Sequence, residues 1–242
     1  PPLAALLSVE ALNLAEQIAL RILDWAWFGV MRLHIGVSVS VMDMRTMVYP
    51  FGRPEMGLAN LMTAQMARFY GASCSGHAGL TDAKLPSAEA GYQKALTALP
   101  TLLACGGLWL DAGLLSTDEV VSPIQLVLDN EFIAALKQFT RPFAVSDESI
   151  GFETIREAGP GGLYLDKDHT ARHLRSSYWQ PQVWSHEMLA PWLESSRAID
   201  VDRAREIALG ARRSDYLAPQ LSQEEDKEIC ALLEKAKKIQ LD

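Results

Sequence analysis

The sequence predicts an α/β fold in which short strands alternate with amphipathic helices. Three short runs, at residues 33–41, 72–76 and 108–111, have the length and composition of strands. Each is followed by a polar loop and then by a longer segment whose apolar residues recur at steps of three and four. Strands that alternate with helices in this way pair in parallel, so the loops that follow them are expected to share one edge of a sheet.

The helices of this pattern have recognisable starts and ends. A first helix is predicted over residues 9–28, where charged residues interrupt an apolar segment at helical spacing, which a membrane span would tolerate poorly. The second begins at Pro54, ends at Gly71 and carries an apolar stripe of Leu58, Leu61, Met62, Met66 and Phe69. Ser87 is expected to cap the third helix, which extends to residue 104, and the fourth covers residues 123–139.

The pattern changes after residue 145. Ser146 is expected to cap a helix that continues to residue 158, where the glycine-rich segment 159–162 ends it. Residues 179–192 contain three tryptophans and two prolines, which predicts an irregular arm. Ser222 and Glu225 form a capping box for a last amphipathic helix.

Three strand–helix units are three-eighths of a closed eight-stranded barrel. We therefore predict a partial TIM (β/α)8-type barrel, its last three βα units, over residues 1–145 and a helical C-terminal extension over residues 146–242. Three parallel strands alone leave edges unpaired, so the missing N-terminal half of the barrel or a second copy of the chain is expected to cover them. The start at Pro1 and Pro2, directly before the first helix, favours a C-terminal fragment or one partner of a split barrel.

The net charge and the cysteine spacing bear on the partners and the compartment of the protein. The formal net charge of −8 argues against nucleic acid and against an anionic membrane as partners, because both require basic surface. The three cysteines are scattered and show neither a disulfide framework nor a CxxC spacing, which favours a reducing cytoplasm.

Asp43 and Arg45 follow the first predicted strand, where a barrel presents its working face. They could form a charged pair that shapes a substrate rim. The alternative is an ion pair that fixes the loop to the next helix, and such structural pairs are common.

His77, Thr81, Asp82 and Lys84 lie in the loop after the second strand. The imidazole could donate a proton near neutral pH, Asp82 could hold a cationic substrate, and Lys84 could neutralise it or cap the loop. The alternative for Thr81 and Asp82 is a turn in which these side chains bond to their own backbone. Asp111 ends the third strand and is the strongest single site candidate, with a role as an N-cap or turn residue as its alternative.

Three segments match one known family in the same order: residues 40–46 (SVMDMRT), 76–86 (GHAGLTDAKLP) and 159–162 (GPGG). Over roughly residues 37–182 the chain resembles the C-terminal half of the trimethylamine methyltransferase family, which are corrinoid-dependent methyltransferases. The resemblance implies a methylated amine in the mouth of the barrel, whose methyl group passes to the cobalt of a corrinoid carried by a separate small protein. On this basis Asp111 and His77 are the catalytic candidates, and the substrate-binding candidates are Asp43, Arg45, Thr81, Asp82 and Lys84.

Two departures from the family pattern bear on the substrate and on activity. Methylamine-specific members carry pyrrolysine at a position that corresponds roughly to Leu80, and leucine cannot form an adduct with an amine. This departure favours a quaternary amine such as glycine betaine, as in the pyrrolysine-free relatives. Many relatives carry a His–Asp pair where this sequence has Leu110 and Asp111, so a polar group is missing and altered or absent activity is one expectation.

Two functions from different classes therefore remain. The first is methyl transfer from a methylated amine to a corrinoid protein, and the second is a non-catalytic remnant or split-barrel paralogue that acts as a binding or interaction module. A metal site is not predicted: His169 and His173 are four residues apart, but no Glu follows His169 as in the HExxH motif. A surface or interface role is the interpretation that their spacing favours.

Overall fold

The computed structural model describes residues 2–30, 33–213 and 222–239. The first part of the chain contains α1 (Pro2–Phe28), β1 (His34–Val37), α2 (Pro54–Phe69), β2 (Ser73–His77), α3 (Ala88–Cys105), β3 (Leu108–Trp109), β4 (Leu114–Leu115), β5 (Val120–Val121) and α4 (Pro123–Thr140). The extension contains α5 (Asp147–Ile150), α6 (Phe152–Ala158), α7 (Asp168–Ser177), α8 (Leu189–Glu194), α9 (Asp200–Arg213) and α10 (Gln223–Ile239). Residues Pro1–Arg205 form one compact unit and Glu206–Asp242 a second.

The central sheet is parallel, with its strands in the order β1-β2-β3. Residues 34–37 pair with 73–76, and Gly76 pairs with Leu108. β1 is followed by α2 and β2 by α3, and α4 follows β3 after two short strands, so the predicted alternation of parallel strands and helices is confirmed. Among the described residues the strands form an open sheet and not a closed barrel.

The strand bounds differ from the prediction at both edges of the sheet. β1 ends at Val37 and not at residue 41, because the backbone beyond it turns to other partners: the Ser40 N–H donates to the Tyr49 hydroxyl at 2.5 Å. β2 is displaced by one residue to Ser73–His77, and β3 ends at Trp109 and not at Asp111. The first helix starts at Pro2 and not at residue 9.

A hairpin that the sequence did not predict follows β3. β4 and β5 pair antiparallel, with Leu114 opposite Val121. The turn between them holds Ser116, Thr117 and Asp118 at φ values of 54°, 55° and 69°, a left-handed conformation that strains non-glycine residues. The usual sequence signal of a short hairpin is an Asn-Gly or Asp-Gly pair, and the segment between β4 and β5 contains neither.

The helix predicted from Ser146 to residue 158 is in fact two helices. Gly151, at φ 67°, ends α5 and precedes α6, because a left-handed residue cannot continue a right-handed helix. The start at Ser146 is correct, since its hydroxyl accepts the Ser149 N–H at 3.2 Å. The capping box of α10 is also confirmed: the Ser222 hydroxyl accepts the Glu225 N–H at 3.2 Å, and the Glu225 carboxylate accepts the Ser222 N–H at 2.8 Å.

The apolar core lies between the sheet and its helices. One cluster joins three elements: Leu6 of α1, Val37 and Val39 at and just after the end of β1, and Ala59 of α2. A second joins the end of β2 to α3 and α4 through Ala78, Ala98 and Leu136. Helices packed on a sheet in this way place the ends of the strands at the surface of the layer.

A buried ion pair crosses the interface between α3 and α4. Lys94 Nζ lies 2.9 Å from Asp129 Oδ2, and the two side chains are 2% and 1% exposed. Asp129 also accepts the Gln125 side-chain amide at 2.7 Å and the backbone N–H of Gly113 at 2.8 Å. The pair therefore connects two helices to the segment between β3 and β4.

The irregular arm predicted around residues 179–192 is attached to α4 by one carboxylate. The buried Glu131 accepts the backbone N–H groups of Gln182, Val183 and Trp184 at 3.1, 2.8 and 3.1 Å. Arg203 of α9 completes the contact by donating to the Val183 carbonyl at 2.5 Å.

Within the described ranges no helix combines the length and the apolar character that crossing a bilayer would require.

We expect Asp129→Asn to lower the free energy of unfolding by about 3–5 kcal/mol, because it leaves the Lys94 ammonium buried without a counter-charge. Urea denaturation followed by circular dichroism measures the change. The exposed Asp166→Asn is the matched control and should change stability by less than about 0.5 kcal/mol. The double variant Lys94→Met/Asp129→Asn should be more stable than Asp129→Asn alone; an equal or larger loss would contradict this account.

Candidate functional site

The candidate site is built from polar groups at the C-terminal ends of all three parallel strands. His77 is the last residue of β2, Ser38 follows β1, and Asp111 follows β3. His77 Nε2 lies 2.8 Å from Asp111 Oδ2, and His77 Nδ1 lies 3.1 Å from the Ser38 hydroxyl. The imidazole is thus held between the ends of the two outer strands.

The backbone beneath His77 is fixed by a buried amide. Asn60 of α2 donates to the His77 carbonyl at 3.0 Å and to the Thr101 hydroxyl at 2.6 Å. Gly76 makes this approach possible, since a Cβ there would lie 2.6 Å from Thr101 Cγ2 and 2.8 Å from Asn60 Cγ. The residue before His77 therefore has to be glycine for α2 to reach the strand.

The His77–Asp111 pair is open to solvent on its acidic side. The Asp111 side chain is 51% exposed, whereas His77 is 17% exposed. Hydrogen bonds to a carboxylate that is half exposed to water add little to stability, so the pair is not explained by the packing of the fold. It presents an accessible carboxylate whose neighbour is an oriented imidazole.

A second carboxylate, Asp118, faces this pair from the strained turn between β4 and β5. Asp118 is exposed overall, but partial burial of its carboxyl raises the pKa of that group above its usual value, and the nearby charge of Asp111 raises it further. Left-handed non-glycine residues are characteristic of functional segments, where the surrounding structure compensates the strain. Asp111 and Asp118 together form a small centre of negative charge beside His77.

Aromatic rings adjoin the same imidazole. Phe51 lies with its ring centroid 6.2 Å from that of His77, and Tyr49 packs edge-on against Phe51 at 5.5 Å. The Tyr49 hydroxyl accepts the Ser40 N–H at 2.5 Å and donates to the Ser38 carbonyl at 3.2 Å. Burial raises the pKa of that phenol, so at neutral pH it remains a neutral donor.

Asp43 and Arg45 occupy the loop after β1, but the main partner of Asp43 is a different arginine. Arg53, the residue that precedes α2, lies 2.5 Å from Asp43 Oδ2, while Asp43 Oδ1 accepts the Arg45 backbone N–H at 2.9 Å. The Arg45 guanidinium is 88% exposed and lies 3.6 Å from Asp43. These contacts, first the Arg45 N–H and then Arg53, lower the pKa of Asp43 to about 2. The geometry is that of an ion pair between the loop and the following helix.

Thr81, Asp82 and Lys84 connect the loops to one another. Asp82 accepts the backbone N–H groups of Phe51 and Gly52 at 2.8 and 3.1 Å and the Thr117 hydroxyl at 3.2 Å. Thr81 accepts the Ala83 N–H at 3.0 Å, and Lys84 donates to the Asp82 carbonyl at 2.6 Å. The structure thus joins His77 and Asp111 directly and places Asp82 where its carboxylate holds the segment that carries Phe51.

Leu80 and Leu110 are the two positions at which the sequence departs from the pattern of the family that it resembles. Leu80 is fully buried. Leu110 packs against Gly79, where a Cβ would lie 2.5 Å from Leu110 Cδ1, and it lines an apolar cavity with Leu102 and Leu136. The imidazole beside Asp111 is therefore supplied by His77 of the neighbouring strand and not by residue 110.

Comparison with known proteins identifies the family. The family model for trimethylamine methyltransferase matches residues 11–240. The chain belongs to the trimethylamine methyltransferase family. It is 31% identical to the trimethylamine methyltransferase of Desulfitobacterium hafniense (strain DSM 10664 / DCB-2) over 174 residues, which are 72% of this chain and 35% of that protein. It is 32% identical over 164 residues to the trimethylamine methyltransferase of Methanosarcina thermophila, covering 68% of this chain and 34% of that one.

A further relative of this chain has a different named specificity. The glycine betaine methyltransferase of D. hafniense (strain Y51) is 25% identical over 199 residues, which are 82% of this chain and 41% of that protein. Across these three relatives the chain spans 34–41% of their length. The resemblance inferred from the sequence motifs is therefore confirmed, and it covers part of each relative.

Three residues of the site were missed by sequence reasoning. Ser38 falls inside the predicted strand, where its hydroxyl gave no signal, and Asp118 belongs to a hairpin that lacks the usual glycine. Phe51 could have been found, since Tyr49 and Phe51 place two aromatic rings in a loop after a strand of a family that binds methylated amines.

We expect the stabilising effect of Asp43 to disappear in acid. Its folded-state pKa of about 2 lies below the ordinary value of 3.8, so the ionised form stabilises the fold above about pH 4, and this contribution is lost as the pH falls towards 2. Urea denaturation of the parent chain and of Asp43→Asn between pH 7 and pH 2 measures it. The two unfolding free energies should converge towards pH 2; a constant difference would contradict the assignment.

Asp111→Asn should lower the pKa of Asp118, because it removes a neighbouring negative charge and leaves the burial of Asp118 unchanged. Carbon-13 NMR of the side-chain carboxyl groups follows the titration directly. Glu187→Gln, on the exposed part of the arm, is the control and should leave that pKa unchanged. An unaltered Asp118 titration in Asp111→Asn would show that the two carboxylates do not interact.

Proposed function

We propose that this chain supplies the working edge of a barrel that transfers a methyl group from a quaternary amine, of the glycine betaine class, to the cobalt of a corrinoid protein. The observation that carries the proposal is the exposed carboxylate pair of Asp111 and Asp118 beside the oriented His77, in a chain of the trimethylamine methyltransferase family. The relative named glycine betaine methyltransferase supports the choice of a quaternary substrate.

The chemistry of a quaternary ammonium group fits this edge. Such a cation has no N–H to donate, so it is recognised through negative charge and through the faces of aromatic rings. Asp111 and Asp118 repel each other when both are ionised, and a cation placed between them relieves that repulsion. Phe51 provides an aromatic surface beside His77, and the bond from His77 orients the Asp111 carboxylate.

Methyl transfer from a quaternary nitrogen requires positioning more than acid–base catalysis. The C–N bond breaks with its electron pair left on nitrogen, so the departing tertiary amine is neutral and takes up no proton. The reduced corrinoid of the partner protein is the second substrate and supplies the electron pair of the new bond to the methyl group. In the completed barrel, the residues of this edge hold the cation in line, and the closed barrel excludes water.

This chemistry assigns a definite kinetic role to the carboxylates. The positive charge on nitrogen declines as the methyl group leaves, so a nearby carboxylate stabilises the bound substrate at least as well as the transition state. Asp111 and Asp118 therefore contribute to binding and alignment. Their removal is expected to raise KM more than it lowers kcat.

We infer that the strands described here are three consecutive units of a larger barrel. The strands are parallel, α2, α3 and α4 follow them in turn, and β1 and β3 each have one edge that pairs with no other strand among the described residues, which supports this assignment. The exposed aromatic residues Trp25, Trp27 and Phe28 near the end of α1 support a surface that further strands and helices cover. The partner is the rest of the barrel, in the same or a second polypeptide, or another copy of this chain.

The alternative of a non-catalytic binding module drew part of its support from Leu110. Leu110 lies in the apolar layer against α4, and His77 places an imidazole 2.8 Å from Asp111. A histidine–carboxylate pair is therefore present at this edge, and the departure at residue 110 no longer favours loss of activity.

The decisive experiment combines this chain with the preceding part of the barrel, from its own gene or from the D. hafniense relative. Transfer of methyl groups from glycine betaine or trimethylamine to a reduced corrinoid protein is followed by corrinoid absorbance. We expect transfer from the quaternary amine only by the completed protein, since the 242 residues alone leave the cation hydrated. Asp111→Asn should raise KM about tenfold with little change in kcat.

Glu187→Gln is the control variant and should behave as the parent protein. Turnover of trimethylamine but not of the quaternary amine would overturn the choice of substrate. Absence of transfer by a folded, completed protein would favour the binding module. If Asp111→Asn instead lowered kcat about tenfold and left KM unchanged, that carboxylate would act in the transition state and not in substrate binding.

A further inference from the structure

Three side chains of metal-ligand type converge in the C-terminal extension, outside the strand-end site. Glu148 lies on α5, and His169 and His173 lie on α7. One ligand atom from each of the three lies within 4.8 Å of the other two, and Glu148 Oε1 is 3.4 Å from His173 Nε2. The sequence does not show this cluster, because Glu148 is 21 residues away from His169 along the chain.

The backbone explains why the three groups meet. A spacing of four residues on α7 brings the two imidazoles to one face of the helix, with ring centroids 4.5 Å apart. Gly151, in the left-handed conformation after α5, lets His169 approach, since a Cβ there would lie 3.0 Å from the imidazole ring. The Glu148 carbonyl then lies 2.6 Å from His169 Nε2 and fixes that ring against α5.

We propose that Glu148, His169 and His173 form a binding site for Zn²⁺ or a similar divalent transition metal. Two imidazoles and one carboxylate are a ligand set that zinc accepts, with a fourth position left for water. Ligand atoms around a tetrahedral zinc ion are about 3.3 Å apart, given metal–ligand distances of about 2.0–2.1 Å. The Glu148–His173 separation of 3.4 Å already matches this geometry, and a ligand atom of His169 lies within 4.8 Å of the other two.

The charges around the cluster also favour a cation. A cavity of about 650 Å³ adjoins Glu148 and His169, and its lining includes five further carboxylates: Asp147, Glu153, Glu157, Asp166 and Asp168. Lys167 and Arg172 also line the cavity and oppose a cation, and Arg172 Nη2 lies 3.0 Å from Glu148 Oε1. Its side chain is exposed, so the guanidinium can move into solvent when a metal takes its place.

Metal binding here would cross-link α5 to α7 and stabilise this part of the extension. Any ligand that binds the folded state and not the unfolded state stabilises it by mass action. This role is independent of methyl transfer, because none of the three ligands lies at the ends of the strands. Failure of one proposal leaves the other standing.

Isothermal titration calorimetry, in which ZnCl₂ is added to the tag-free 242-residue chain, tests the site. We expect one Zn²⁺ per chain and no detectable binding of Mg²⁺, which prefers an all-oxygen octahedral shell. His173→Ala should weaken zinc binding by at least about tenfold, since even outer-shell changes have effects of that size. His186→Ala, an exposed histidine of the arm, is the matched control and should leave the affinity unchanged.

Arg172→Gln provides the sharper test. It releases the Glu148 carboxylate from its competing cation, so zinc should bind several times more tightly, whereas adsorption to scattered surface histidines would not respond. Equal weakening by His173→Ala and His186→Ala, or unchanged affinity in Arg172→Gln, would overturn the proposal. Circular dichroism of each variant confirms that a lost affinity is not a lost fold.

Discussion

The ion pair between Lys94 and Asp129 is the interaction on which the geometry of the strand-end surface depends. Asp129 is buried and binds both the Lys94 ammonium and the backbone N–H of Gly113. Gly113 lies two residues after Asp111 and directly before the hairpin that carries Asp118. Because one buried carboxylate anchors this segment, the two candidate substrate-binding carboxylates are positioned from the interior of the protein and not by mutual attraction, which their like charges exclude.

Some acidic residues of the strand-end loops hold the loops in place, whereas another remains open to solvent. Asp43 and Asp82 both lie after strands, yet their carboxylates are occupied by an arginine and by backbone N–H groups. Asp111 has one hydrogen-bond partner among the described residues, His77, and its side chain remains half exposed. A carboxylate that already binds an arginine or several backbone N–H groups has fewer free lone pairs for a cation than Asp111 has. The distribution of hydrogen bonds therefore distinguishes residues of similar sequence position.

In the C-terminal extension, two carboxylates have different kinds of partner. Glu131 holds the arm through three backbone N–H groups, which lets a segment without regular structure pack at a defined place. Glu148, further along, has imidazoles and a guanidinium as its neighbours and lies at the surface. A carboxylate surrounded by backbone donors has a structural role, and one surrounded by movable side chains can exchange them for a metal ion.

The sequence by itself determined the alternation of strands and helices, the caps at Ser87, Ser146 and Ser222, and the family, because these depend on local patterns and on motifs that are contiguous. It could also place His77 and Asp111 at the ends of strands. Only the tertiary structure decided that His77 bonds to Asp111, that Asp118 joins them, and that Glu148 meets His169 and His173. These groups are 34, 7 and about 21 residues apart along the chain, and strand register, a strained turn and a left-handed glycine bring them together. Such contacts depend on how distant segments pack, which no local pattern of residues contains.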